Sequence, residues 1–269
     1  MKTLFQIDHS EPRSGADTLL CEWGERYCCY TILNHDSRSL AGLQYVTFDQ
    51  PASKDEVESV IRQQKLNGLR YDRVVFCSGF LQAVLVPKPL FSETEPPVAH
   101  LSPEKRMKYF HDQIGEWQVV NNYVFPRAIY ERVMDSFGDV QMSHVYTTAL
   151  KTYNGYTADA QVSVDFTPRT FRVVVKKGGQ IQLAQMYEYS VPLDVVYYLL
   201  KIYQELHLSK EETHLILSGL IDEASALYKE LYSYFLNIHF VHPAGLSLTN
   251  KEYPPHFFAS IYNLAQCVS

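Results

Sequence analysis

Apolar and polar positions along this chain spell out one pattern twice. Thr18 to Glu22 predicts a first strand, Trp23 to Arg26 a turn, and Tyr27 to Leu33 a second strand rich in β-favouring residues. Asn34 to Ser37 predicts a further turn and Leu40 to Phe48 a third strand. Ser53, followed by the acidic turn of Asp55 and Glu56, predicts an N-cap, and Val57, Val60 and Ile61 supply the apolar stripe of a short helix stopped by Asn67 and Gly68. Arg73 to Cys77 predicts a buried strand ending at Ser78 and Gly79.

The same succession restarts at Gln161. Gln161 to Phe166 and Phe171 to Lys176 read as strands around a turn at Thr167, Pro168 and Arg169. Gly178 and Gly179 read as a hairpin turn into a strand from Ile181 to Tyr189. A helix from about Leu193 to Leu206 follows, nearly apolar all round as expected of one buried on most sides. His214 to Leu217 then forms a buried strand ending at Ser218 and Gly219. The first strands are offset by 143 residues and the closing glycines by 140, so a whole β-β-β-α-β unit is duplicated, with domains at 1–150 and 151–269.

The stretches after each unit are read less regularly. Leu81 to Val86 is apolar, Pro103 to Ile114 is expected to be helical, Val119 to Phe125 a strand, and Pro126 to Phe137 a helix with proline at its first position. Ser92 to His100 is a polar, proline-containing connector. Ala226 to Phe240 is expected to be one tyrosine-dense helix, and Ala259 to Val268 the last one.

Composition narrows the function classes. The chain has 269 residues, enough for two cores, and its 46% hydrophobic content is that of a globular protein. A net charge of −6 argues against broad nucleic-acid binding. Met1 to His9 has no apolar core, so no secretory signal is expected, and no apolar run approaches the roughly 20 residues of a membrane-spanning helix. Cys21, Cys28, Cys29, Cys77 and Cys267 are odd in number and without CxxC spacing, which points to free thiols in a cytoplasmic setting.

Three antiparallel strands, a helix and a strand, present twice, resemble the actin-like ATPase fold, a duplicated ribonuclease-H-like domain with an interdomain cleft. The paired Ser-Gly strand ends, and Leu85 to Pro87 followed by Pro89 to Phe91, make the chain similar to an uncharacterised bacterial (Bacteroidetes-type) family of that fold. In working members, as the resemblance implies, the first turn of each half holds phosphate through backbone N–H groups, an acid positions Mg²⁺, and paired glycines receive adenosine. Glu22, Gly24, Asp165, Thr167, Ser218 and Gly219 are therefore the candidate ligand-binding residues.

All three motifs are altered here. Glu25 stands where an anion would sit, Pro168 removes an amide from the second turn, and Leu220 replaces a second glycine. The expectation is a non-catalytic binding or scaffold protein with no bound cofactor and with a protein partner. The alternatives are an ATP- and Mg²⁺-binding ATPase or phosphotransferase, and a metal-dependent nuclease centred on Glu22 and Asp165. Each acid is read first as the cap of its own turn, since one acid per half falls short of a carboxylate cluster. His239 and His242 are three apart, but Pro243 ends the segment, so they are read as residues at a helix C-terminus rather than metal ligands. Tyr187, Tyr189, Tyr197, Tyr198, Tyr203, Tyr228, Tyr232 and Tyr234 suit either a recognition surface or a tyrosine-rich core.

Overall fold

The duplicated pattern folds into two α/β units, one formed by residues 1–152, 245–250 and 261–269, the other by residues 153–244 and 251–260. A computed structural model of the chain describes residues 1–7, 17–63, 66, 70–94, 106–152, 159–248 and 252–268. The turn at Asn67 and Gly68, most of Met1 to His9 beyond Ile7, and the connector beyond Thr94 lie outside them.

The first unit begins with strands β1 (Lys2–Ile7), β2 (Asp17–Trp23), β3 (Tyr27–Asn34) and β4 (Ser39–Thr47). Every residue of β2 is buried, because strands covered on both faces lose the polar alternation of a half-exposed sheet. Helix α1 (Lys54–Gln63) opens with a capping box: the Asp55 N–H donates to Ser53 Oγ over 3.2 Å, and the Ser53 N–H donates to Glu56 Oε2 over 3.1 Å. Strand β5 (Arg73–Ser78) returns parallel to β2. Next come β6 (Ala83–Pro87), β7 (Met107–Ile114), β8 (Val119–Pro126), α2 (Arg127–Phe137), β9 (Gln141–His144) and α3 (Val145–Lys151).

The second unit contains β10 (Ala160–Phe166), β11 (Thr170–Lys177), β12 (Gln180–Glu188), α4 (Pro192–Glu205), β13 (His214–Gly219), α5 (Ala226–Tyr232) and β14 (Ile238–Phe240). Strand β15 (Ser247–Leu248) and helix α6 (Ala259–Val268) follow; β15 pairs with β4, and residues 261–268 of α6 also belong to the first unit.

The sheets carry the duplication. Strand order is β1-β4-β3-β2-β5-β9 in the first unit and β12-β11-β10-β13-β14 in the second, with the same pairing around each first strand: antiparallel to the second, parallel to the fourth. A separate sheet, β6-β8-β7, belongs to the first unit and has no counterpart among the described residues of the second. Each unit has its own core. Leu19, Trp23, Val57, Phe76 and Phe125 are buried together in one, and Val164, Phe171, Val195, Leu199, Leu217 and Phe235 in the other.

Three local expectations are corrected. Met107–Ile114 is a strand, not the end of a helix from Pro103; it pairs with β8 from Met107 opposite Pro126 to Ile114 opposite Val119, so cross-strand partners override helix propensity. The helix at Ala226 stops at Tyr232, and Ile238–Phe240 instead pairs parallel with β13. Pro126 is the N-cap before α2 rather than its first residue.

Candidate functional site

The candidate residues sit where β2 meets β3 and where β10 meets β11, at the ends of parallel strand pairs. Each turn is described within its own unit. Glu22 is buried, 2% exposed, and accepts a 2.6 Å hydrogen bond from the Tyr27 hydroxyl. Tyr27 is also buried and stacks on Tyr45, with ring centroids 5.4 Å apart. Its ring lies across the turn so closely that a Cβ on Gly24 would meet it at 2.2 Å, and a Cβ on Gly79 would meet its hydroxyl at 2.4 Å. Both glycines are therefore needed to accommodate a side chain of this same turn. Their amides are engaged as well, since Gly24 N–H donates to Tyr27 O over 3.0 Å and Gly79 N–H donates to Trp23 O over 2.8 Å. Burial, and then the neighbouring Glu22 carboxylate, pushes the Cys29 thiol up.

The second turn is closed by different means. Asp165 and Arg172 are direct cross-strand partners. Arg172 Nε donates to Asp165 Oδ2 over 3.0 Å, and its Nη2 donates to the same oxygen. Ser218 Oγ donates to the other oxygen, Oδ1, over 2.8 Å. The side chains are 7% and 20% exposed for Arg172 and Asp165, so the guanidinium holds a mostly dehydrated carboxylate.

Thr167 is tied to its own hairpin. Its N–H donates to Thr170 O over 2.8 Å, the Thr170 N–H donates to Thr167 Oγ1 over 3.1 Å, and the Tyr189 hydroxyl donates to Thr167 O over 2.9 Å. Burial pushes the Tyr189 phenol up to about 12, so it stays a donor at neutral pH. Gly219 has φ +76°, and a Cβ there would lie 2.1 Å from Phe166 O. This glycine serves the close approach of β13 to β10, where the Leu220 N–H donates to Phe166 O over 2.8 Å.

The ladder registers also separate the two Ser-Gly pairs. Asp165 lies opposite Ser218, whereas Glu22 lies opposite Cys77 and Ser78 lies opposite Trp23. When the two units are aligned on their acids, Ser218 corresponds to Cys77, and the paired Ser-Gly ends are one residue out of step.

Sequence reasoning missed Tyr27 and Arg172. Arg172 was recoverable, because a two-strand hairpin centred on Pro168 and Arg169 sets it opposite Asp165. Tyr27 had no such signal, since only the path of its ring over two glycines reveals its part. His239 is in strand β14, not at a helix end; its ring stacks on His214 at 5.1 Å, and burial pulls its imidazole down from the ordinary value. Among the described residues, no group of three or more His, Cys, Asp or Glu could hold a metal ion. The tyrosines divide: Tyr203 is buried, Tyr187, Tyr189, Tyr198 and Tyr228 flank the core, and Tyr197 and Tyr232, each 61% exposed, face solvent.

Solved structures place this arrangement among actin-like folds. A Bacteroides thetaiotaomicron protein with actin-like ATPase fold and unknown function superposes with a TM-score of 0.79 at 17% identity, over 93% of this chain and 96% of that one. PilM in the PilM-PilN type IV pilus biogenesis complex gives 0.54 at 14% identity, over 95% and 99%. The ethanolamine utilization protein EutJ from Carboxydothermus hydrogenoformans gives 0.53 at 9%, over 95% and 91%. The fold is thus the duplicated ribonuclease-H-like, actin-like one. No curated protein sequence matches the chain. Residues 8–238 match the family model described as "Protein of unknown function (DUF3822)".

Proposed function

The chain belongs to the family described as "Protein of unknown function (DUF3822)", and from the geometry of its two turns we propose that it is a non-catalytic binding or scaffold protein of the cytoplasm. The observation that carries this reading is the occupation of Asp165 by Arg172 and Ser218. A carboxylate that must hold Mg²⁺ needs oxygens facing the ion, and here both oxygens already accept hydrogen bonds from the protein. The amides of Gly24, Gly79 and Thr167 likewise close their own turns. Phosphate binding requires several N–H groups converging on one point, and Pro168 supplies none. The residues present do not fit a magnesium nucleotide held in the manner the fold suggests. They fit two closed turns that stabilise the ends of their sheets.

A protein partner is the expected ligand. PilM, of the same fold, forms a complex with PilN. Among the described residues no helix is long and apolar enough to cross a membrane, and the net charge of −6 disfavours general nucleic-acid binding.

A thermal-shift titration with ATP, ADP and GTP, each with and without Mg²⁺, tests the reading. A ligand that binds only the folded state must raise its melting temperature. No shift is expected with any of the six conditions. A saturable shift of several degrees that disappears in Asp165→Asn would overturn the proposal and restore the nucleotide switch.

A further inference from the structure

The first unit holds a carboxyl group that the repeat does not account for. Asp112 lies on β7, in the sheet without a counterpart, and is half-buried where that sheet meets β9 and α3. Three elements reach it with neutral hydroxyls. The Tyr123 hydroxyl of β8 donates to its Oδ1 over 3.3 Å, Ser143 Oγ of β9 donates to its Oδ2 over 3.3 Å, and Thr147 of α3 donates as well. Asp165 in the second unit has a guanidinium beside it, whereas these three donors bring no positive charge.

Directly across the ladder from Asp112 stands Asn121, which is fully buried. Its Nδ2 donates to Thr147 Oγ1 over 3.0 Å, but its Oδ1 is buried without a hydrogen-bond partner. Side chains directly opposite on an antiparallel pair have Cβ atoms about 4.5–5.5 Å apart, so the carboxyl and the amide are within reach of each other. An ionised Asp112 only accepts and offers that oxygen nothing; a protonated one supplies the missing donor.

Burial pushes the Asp112 pKa up, against the Thr147 bond, the Lys151 charge and the Ser143 and Tyr123 bonds. Lys151, one turn along α3 from Thr147, is exposed. Burial also pushes up the Tyr123 phenol and the Cys267 thiol of α6, the latter with exposed Glu116 beyond it. Cys77 of β5 is buried near Tyr123, and His144 accepts the Tyr146 N–H at Nδ1 over 3.1 Å, which leaves its ring neutral.

We propose that Asp112 is a proton-operated latch: protonated, it bonds Asn121 and holds β7 and β8 against β9 and α3, and on giving its proton to water it loosens this sheet. The charge left among neutral hydroxyls needs hydration, which reaches it by parting the sheet from its neighbours. A carboxyl whose pKa is raised in the fold contributes stability that is full below its unfolded value, about 3.9, and lost as pH rises through the folded one. The latch works whether or not a nucleotide binds.

Trp117 reports on it, because it stands in the β7–β8 turn and its Nε1 donates to Leu150 O of α3 over 3.0 Å, while Trp23 is only 1% exposed. In the full chain, acrylamide quenching of tryptophan fluorescence should rise about twofold or more between about pH 4 and pH 7. Hydrogen exchange of the β8 amides, corrected for base catalysis, should rise with it relative to that of β10. Asp112→Asn, uncharged and still able to donate to Asn121 Oδ1, should stay weakly quenched throughout. Ser143→Ala removes a donor to the ionised carboxylate and should move the midpoint of the transition to higher pH. A wild-type profile parallel to that of Asp112→Asn, an Asp112→Asn protein strongly quenched at every pH, or an unmoved midpoint in Ser143→Ala would overturn the proposal.

Discussion

Tyr27 and Gly79 form a steric pair whose energetics can be worked from the structure. A methyl group on Gly79 would sit 2.4 Å from the Tyr27 hydroxyl but 3.3 Å from its ring carbon Cζ. The hydroxyl cannot swing aside, because the ring is stacked on Tyr45 and its O–H is bonded to buried Glu22. Gly79→Ala alone should therefore cost about 1–3 kcal/mol, the range for an extra methyl in a packed site. Tyr27→Phe removes a hydrogen bond to a carboxylate and should cost about 1.5–3 kcal/mol. In the double variant the clashing oxygen is gone, and the added methyl faces only a contact a few tenths of an ångström too tight. The double variant should then be about as stable as Tyr27→Phe, with a coupling of about 1–3 kcal/mol. Urea unfolding followed by tryptophan fluorescence is the assay, and both tryptophans, Trp23 and Trp117, report from the first unit. Additivity within about 0.5 kcal/mol would show that the hydroxyl does not define the room at this turn.

Other consequences are open to equally direct measurement. Gly219→Ala should destabilise the second unit by about 2–4 kcal/mol, since it adds a left-handed backbone penalty to a clash with immobile Phe166 backbone; unchanged thermal unfolding would contradict the close approach. Arg172→Met should cost about 3 kcal/mol by leaving the mostly dehydrated Asp165 carboxylate without its counter-charge, and adding Asp165→Asn should recover part of that loss in the same melt. His256 is buried against Phe240, its Nε2 is 2.8 Å from Ile221 O, and burial pulls its pKa below the ordinary value. A histidine held neutral in the fold contributes stability that is full above its unfolded pKa and lost as pH falls through the folded one. His256→Gln should therefore flatten the decline in stability below about pH 6.5, and an unchanged pH profile would exclude this contribution. Burial pushes the thiols of Cys21, Cys28 and Cys29 up, and Cys77 is buried too, so a thiol reagent should label Cys267 at most in the native protein and all five after denaturation.

The duplicated β-β-β-α-β order was legible along the chain because strand and helix periodicity, turn residues and the Ser53 cap are local. The run from Leu19 to Leu33 reads as two strands with a turn between them whatever surrounds it, and the long helix at Pro192 declares itself by a run apolar nearly all round. Met107–Ile114 was misread because Met107, Phe110 and Ile114 fall at helical spacing, and Ile238–Phe240 because it is too short to fix a period; only β8 and β13 supply the partners that make them strands. The same limit applies to the candidate site. Glu22, Asp165 and Ser218 could be named from turn positions, but whether a carboxylate faces a ligand or a guanidinium depends on which side chain lies across the ladder. Local chemistry determined the units and the places of their turns. Tertiary structure decided that Tyr27 and Arg172 fill those turns, because hydrogen bonds and steric fit are settled by atoms that meet only after the sheets have formed.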